Sequence, residues 1–168
     1  KNMGTLDVPN IDRTTPNPQN DKSQSALLKL VYQVNDKQKH TFNFEHIDKT
    51  SDFDLLSSRA KLPMTSASSV KGETVHKTSQ RDRVSIISRY ALKNDWIDHV
   101  QSNISFQNSH AQDNGITQRN TLADRVRNVS YAEKAWQFNV QADKLFKSSD
   151  KFAQRLSYGI DYSQIDVS

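Results

Sequence analysis

The stretch Trp136-Gln137-Phe138-Asn139-Val140-Gln141 alternates large apolar side chains with amide side chains. Successive side chains of a β-strand point to opposite faces, so a period of two is typical of a strand with one apolar face. The surrounding segment 121–146 is rich in Ala, Glu, Lys, Leu and Gln, and a helix is the alternative interpretation of that composition. The alternation at its centre favours one long strand over roughly 124–146.

Alternation of the same kind predicts five more strands, over 26–34, 40–46, 83–92, 100–107 and 152–162. Short polar segments at 35–38, 93–96 and 147–150 predict tight turns, and the polar stretches 1–24, 48–79 and 110–123 predict long loops. The sequence therefore predicts an all-β fold, with about six antiparallel strands in three hairpins.

The composition indicates whether such strands form a water-soluble core or lie in a membrane. Only 34% of the residues are hydrophobic, a poor supply for a two-layer core in water. A transmembrane β-barrel needs apolar side chains on its lipid face only, and its periplasmic turns are short while its extracellular loops are long. We therefore expect the three turns to face the periplasm and the three long loops to face outside. Six strands are too few to close an aqueous barrel, so we expect 1–168 to be part of a larger barrel domain.

Several other classes of protein are disfavoured. The chain has no cysteine, which removes thiolate metal sites and disulfide scaffolds. No apolar run of about 18 residues predicts a transmembrane helix. The net charge is only +4 and the acidic residues are interleaved with the basic ones, so we predict no nucleic-acid partner. No catalytic motif is present, and we predict that the protein is not an enzyme and holds no resident metal.

Three strand sequences point to a family. The first is Ser23-Gln24-Ser25-Ala26-Leu27-Leu28-Lys29-Leu30-Val31-Tyr32, followed after a turn by His40-Thr41-Phe42-Asn43-Phe44-Glu45. The others are 83–90 and Leu156-Ser157-Tyr158-Gly159-Ile160-Asp161-Tyr162. These strands resemble those of TonB-dependent outer-membrane receptors, in the branch that takes up iron from haemoglobin, transferrin and lactoferrin.

The resemblance implies a barrel of about 22 strands with a plug domain that is not present in this chain. It also implies a location in the outer membrane of a Gram-negative bacterium and energised uptake through the TonB complex, contacted by the plug. The cargo would be haem or another ferric ligand, delivered by an iron carrier or a haem protein, with no cofactor bound permanently. The lipid bilayer would surround the barrel.

Candidate ligand-binding residues follow from the predicted topology. His46, His76 and His110 fall at or in the predicted extracellular loops, and histidine can serve as an axial haem ligand. The alternative is that these are ordinary surface histidines. Five arginines are predicted to face the lumen, where they would guide an anionic ligand or else pair with carboxylates of the wall or plug. They are Arg83, Arg89, Arg125, Arg127 and Arg155.

Three other functions remain open at this level. A passive porin would have the same strand design without a plug. An outer-membrane enzyme would place acidic and histidine side chains near its rim. A secreted β-rich adhesin would fractionate without detergent.

Overall fold

A computed structural model describes residues 12–149 and 152–168. Six strands form one sheet in the order β1-β2-β3-β4-β5-β6, so that each strand pairs with its neighbours in sequence. Their bounds are Gln19–Asn35, Gln38–Asp54, Val70–Ala91, His99–Arg119, Arg125–Ser149 and Phe152–Val167, and a 3-10 turn occupies Leu56–Ser58. The prediction of an all-β antiparallel fold with three hairpins is confirmed, and β5 excludes the helical alternative for 121–146. The described residues contain no helix long and apolar enough to cross a membrane.

Side-chain amides build the first two hairpin turns. The backbone N–H of Lys37 donates to Asn35 Oδ1 at 2.8 Å, which supports the predicted turn after β1. After β3, Asn94 Oδ1 accepts from the N–H groups of Trp96 and Ile97 at 3.0 and 2.7 Å. Asparagine favours turns because its short side chain can bond to nearby backbone groups. Both turns lie where the sequence predicts them, and Asp150 of the third lies outside the described residues.

The turn before β4 is also tied to β5. Asp98 accepts from the backbone N–H of Leu145 at 2.8 Å and from Lys144 Nζ at 3.0 Å. The Leu145 N–H, and after it Lys144, hold the pKa of the Asp98 carboxyl below its ordinary value. This carboxylate therefore anchors the turn in its ionised form.

The predicted loop boundaries are wrong in three places. Residues 19–24 belong to β1, residues 48–54 and 70–79 belong to β2 and β3, and residues 110–119 belong to β4. The long connections shrink to 55–69 and 120–124, and the described part of the first segment to 12–18. These strand ends have polar residues on both faces, so backbone pairing extends them where apolar alternation has stopped.

The chain divides into two compact units. Unit 1 comprises Lys1–Gln24, Asp48–Gln80 and His110–Tyr131, and unit 2 comprises Ser25–Ile47, Arg81–Ser109 and Ala132–Ser168. In unit 1, Asn17 holds the 3-10 turn, since its Nδ2 donates to Ser57 Oγ at 2.9 Å and its Oδ1 accepts from Ser57 N at 3.0 Å. Leu56 is the one described hydrophobic residue of unit 1 that is buried.

Unit 2 has one polar and one apolar face. Cross-strand hydrogen bonds mark the polar face, from Asn43 to Ser85 at 3.1 Å, from Arg89 to Gln101 at 2.8 Å and from Ser105 to Gln137 at 3.3 Å. Gln137 is in turn opposite Ser163, because β5 and β6 pair antiparallel in a register that runs from Glu133↔Val167 to Ser149↔Phe152. One irregularity, between Lys147 and Ser149, interrupts this register beside the turn.

The opposite face of unit 2 carries most of its large apolar side chains. Phe106 and Trp136 pack with ring centroids 4.7 Å apart, and the next strand pair sets Phe138 opposite Tyr162 and Val140 opposite Ile160. Most of these side chains are not covered, because Trp136, Tyr162 and Ile160 are 51%, 58% and 70% exposed. Among the described residues of unit 2 only Ala135 and Ala142 are buried hydrophobics. The large apolar side chains of this face are therefore not packed against a second layer among the described residues.

Candidate functional site

A hollow of about 590 Å³ in unit 1 contains one of the predicted histidines. Five strands, β1 to β5, contribute lining residues, and Pro18 just before β1 also lines the hollow. The apolar part of its lining is supplied by Phe53, Val75, Ile116 and Val126. Polar groups around this surface come from Asp52, Asp54, Thr74, His76, Asn114 and Asn128. An apolar hollow with a few polar groups is the usual form of a small-molecule site.

His76 is held in this hollow by a carboxylate on the neighbouring strand. Its Nδ1 lies 2.6 Å from Asp52 Oδ1, and both side chains are about half exposed. An ionised carboxylate can only accept a hydrogen bond, so Nδ1 donates and Nε2 is the nitrogen left for a ligand. A carboxylate that orients an imidazole in this way is the common outer partner of metal-ligating histidines. The arrangement can therefore present Nε2 to a metal centre carried by a ligand.

The same pairing recurs in unit 2. His46 Nδ1 lies 2.6 Å from Asp82 Oδ1, and His99 Nδ1 lies 3.3 Å from Asp143 Oδ2. His46 alternates with Phe42 and Phe44, so its pair with Asp82 lies at the end of the apolar face. His40 Nδ1 lies 2.9 Å from the Ser88 hydroxyl and its ring meets Tyr90 edge-on. Cross-strand partners therefore fix the rings of four histidines.

The expected loop positions of His76 and His110 are wrong, whereas His46 lies in a strand, as the predicted strand 40–46 has it. His46 lies in β2. His76 lies in β3 and His110 in β4, because these two strands continue into the polar segments that were predicted as loops. His76 and His110 belong to unit 1 and His46 to unit 2. His110 is exposed and does not line the hollow. Within the part of the chain that the structure describes, no three His, Cys, Asp or Glu side chains form a metal-binding group.

The five arginines do not form one set. In unit 2, Arg89 donates from Nε to Gln101 Oε1 at 2.8 Å, Arg155 Nε lies 3.9 Å from Asp143 Oδ2, and Arg83 is half-buried in β3. Arg125 and Arg127 are exposed residues of β5 in unit 1. The three arginines of unit 2 occupy the polar face that the alternation predicts. Their role in guiding a ligand stays a prediction.

The carboxylate partners of the histidines and the apolar lining of the hollow were not predicted from the sequence. Asp52 and His76 are 24 residues apart, and Asp82 and His46 are 36 apart, with no local motif connecting them. The usable signal was the register of the β2–β3 pair, which would have set each aspartate opposite its histidine. Extending both strands into the polar segments would have been necessary to see it.

No family model matches the chain, and no curated protein matches it.

Proposed function

We propose that this chain forms part of the wall of an outer-membrane β-barrel that takes up an iron-containing ligand. The observation that carries the membrane assignment is the uncovered apolar face of unit 2, in which Trp136, Phe138 and Val140 continue into Tyr162 and Ile160 of the next strand. Exposed apolar patches on soluble monomers rarely exceed a few hundred Å². In a bilayer, the exposure of these apolar side chains to lipid carries no hydrophobic penalty. The polar face of the sheet would then line a water-filled lumen.

Strand length and sheet edges support the same proposal. A strand crosses a bilayer with about 9–11 residues, and the strands here have 16 to 25. The additional residues of each strand would extend out of the lipid into water. The outer edges of β1 and β6 are unpaired in the sheet, and every described side chain of both strands is exposed. Edges of this length need covering, and a barrel removes them by pairing with further strands.

The uptake function rests on the resemblance to TonB-dependent receptors and on the hollow around His76. A haem or another ferric ligand would place its planar, apolar part against Ile116 and Val126, with His76 Nε2 directed to the iron. The carboxylate of Asp52 would keep that nitrogen free. Release into the cell would then require a plug domain and the TonB complex. This chain would contact the plug domain through the barrel lumen, and the plug domain would contact the TonB complex.

The absence of native cysteine makes the membrane assignment directly testable. Val140→Cys and Gln141→Cys are matched substitutions of neighbouring β5 residues on opposite faces of the sheet. In the protein folded in lipid vesicles, we expect a spin label at position 140 to be relaxed by oxygen, which concentrates in lipid. A label at 141 should be relaxed by a water-soluble nickel chelate. Equal relaxation of both labels by the nickel chelate would contradict a lipid-facing surface.

A further inference from the structure

A second hollow, of about 440 Å³, lies in unit 2 at the end of the sheet that carries the turns after β1 and β3. Its cationic lining consists of Lys37, Lys39 and Arg89, with His99 beside them. All four side chains are exposed to solvent. We propose that this hollow binds a small anion through phosphate or carboxylate groups.

The first step is the register of β2 and β3. The backbone N–H of Ala91 donates to the carbonyl of Lys37 at 2.8 Å, and further along His40 contacts Ser88 and Asn43 contacts Ser85. In that register Lys39 lies directly opposite Arg89. Directly opposed like charges destabilise a sheet. A bound anion would remove this repulsion, whereas an empty hollow leaves it in place.

The second step is that these cations have no acidic partner. Among the described residues no ion pair involves Lys37, Lys39 or Arg89. Two carboxylates line the hollow: Asp143 lies 3.3 Å from His99 and 3.9 Å from Arg155, and Asp36 has no ion pair among the described residues. None of these three cations is therefore held in an ion pair of the sheet, and they outnumber the two carboxylates of the lining.

The third step is that Arg89 is positioned. Its Nε donates to Gln101 Oε1 at 2.8 Å, which holds the guanidinium group over the hollow. The two terminal nitrogens remain available, and they match the spacing of two oxygens of a carboxylate or phosphate. Lys39 opposite Arg89 supplies a second charge to the same anion. This site needs neither the hollow around His76 nor the membrane assignment, so it extends beyond the proposed function.

The test is titration of the purified full chain in detergent with inorganic pyrophosphate and, separately, with citrate, followed by calorimetry. We expect saturable binding of one equivalent of at least one probe, and the tighter probe identifies the preferred group. Arg89→Gln and Lys39→Gln should each weaken that binding about tenfold or more, because each removes a charged hydrogen bond. Lys29→Gln is the matched control: it removes the same charge from an exposed strand residue of unit 2 that does not line the hollow.

A Lys39→Glu variant separates a binding role from a structural one. It replaces the opposed like charges by an ion pair with Arg89, so we expect its Tm without ligand to rise while anion binding is lost. That opposite change in stability and binding is not expected of a residue that only supports the strand. Absence of saturable binding by both probes, or binding by Arg89→Gln equal to that of Lys29→Gln, would overturn the proposal.

Discussion

The carboxylate of Asp98 accepts a hydrogen bond from the backbone N–H of Leu145 at 2.8 Å, so a side chain in a turn replaces a backbone acceptor for β5. Lys144 adds an ion pair at 3.0 Å, with only 16% and 20% of the two side chains exposed. The turn before β4 is thereby bonded to β5 as well as to β3. This relationship has a direct consequence for stability in acid.

We expect the link between this turn and β5 to weaken at low pH. The pKa of Asp98 is lowered in the folded protein, chiefly by the Leu145 N–H, so its contribution is present above the ordinary carboxyl pKa of about 4 and lost as pH falls through the lowered value. Asp98→Asn should speed amide hydrogen exchange at Leu145 at pH 7. Asp95→Asn, in the same turn, is the control and should leave that rate unchanged. Equal exchange in both variants would contradict the anchoring role.

Gly159 is required by the close approach of β5. A Cβ built on Gly159 would overlap the carbonyl oxygen of Val140 and lie 3.1 Å from the Cα of Gln141, and neither backbone can move aside cheaply. We expect Gly159→Ala to reduce the free energy of unfolding by about 1–3 kcal/mol, measured by denaturant titration. A Cβ at Gly115 would meet its neighbours at 3.8 Å or more, so Gly115→Ala is the control. A neutral result at 159 would show that the β5–β6 pairing tolerates a side chain there.

The two tryptophans should report different depths. Trp136 lies within β5 on the apolar face, and Trp96 lies in the turn before β4. With Trp96→Phe and Trp136→Phe, each variant keeps a single tryptophan. In vesicles of lipids brominated near the chain ends, we expect stronger fluorescence quenching of Trp136 than of Trp96. Stronger quenching of Trp96 would reverse the assignment of which segment lies in the lipid.

The hollow around His76 should bind haemin through the imidazole. His76→Ala should abolish the absorbance change that accompanies axial ligation, and Asp52→Asn should weaken binding by about tenfold or more, since outer partners of ligating histidines have effects of that size. His110→Ala changes an exposed histidine of unit 1 that does not line the hollow and is the control. If His76→Ala still binds haemin, His76 is not the residue that ligates the iron. That result would not bear on the proposal that the chain forms part of a barrel wall.

Local sequence was sufficient for the strands that have one apolar face. The alternation around Trp136 predicted β5 and its face, and the register with Tyr162 follows from the same pattern in β6. Local sequence was insufficient to predict the first half of β3 as a strand. There Glu73, His76 and Lys77 bond to side chains on neighbouring strands, and no apolar alternation marks the strand. Those partners are 24 to 44 residues away, so the energy that extends the strand is not visible in a local window.

The candidate site likewise combines a residue that local sequence could indicate with residues that only strand pairing brings together. His76 could be selected from its residue type, but Asp52 and the lining residue Ile116 join it only through strand pairing. The anion-binding hollow depends on the position of Lys39 opposite Arg89, and that position is set by the register of two strands. Composition gives no register, so both arrangements depend on extending the strands and pairing them, and not on the residue types alone.

The irregularity between Lys147 and Ser149 bears on how this hairpin can change in evolution. From Glu133 to Lys147 the two strands keep one register, in which Phe138 and Tyr162 share a face. Beside the turn, Ser149 pairs with Phe152 one step out of that register. Side chains alternate with a period of two, so an insertion of one residue would ordinarily turn a strand over and exchange its faces. An unpaired residue at the strand end absorbs such a change locally. The turn can therefore vary in length by single residues while β6 keeps its tyrosines on the apolar side.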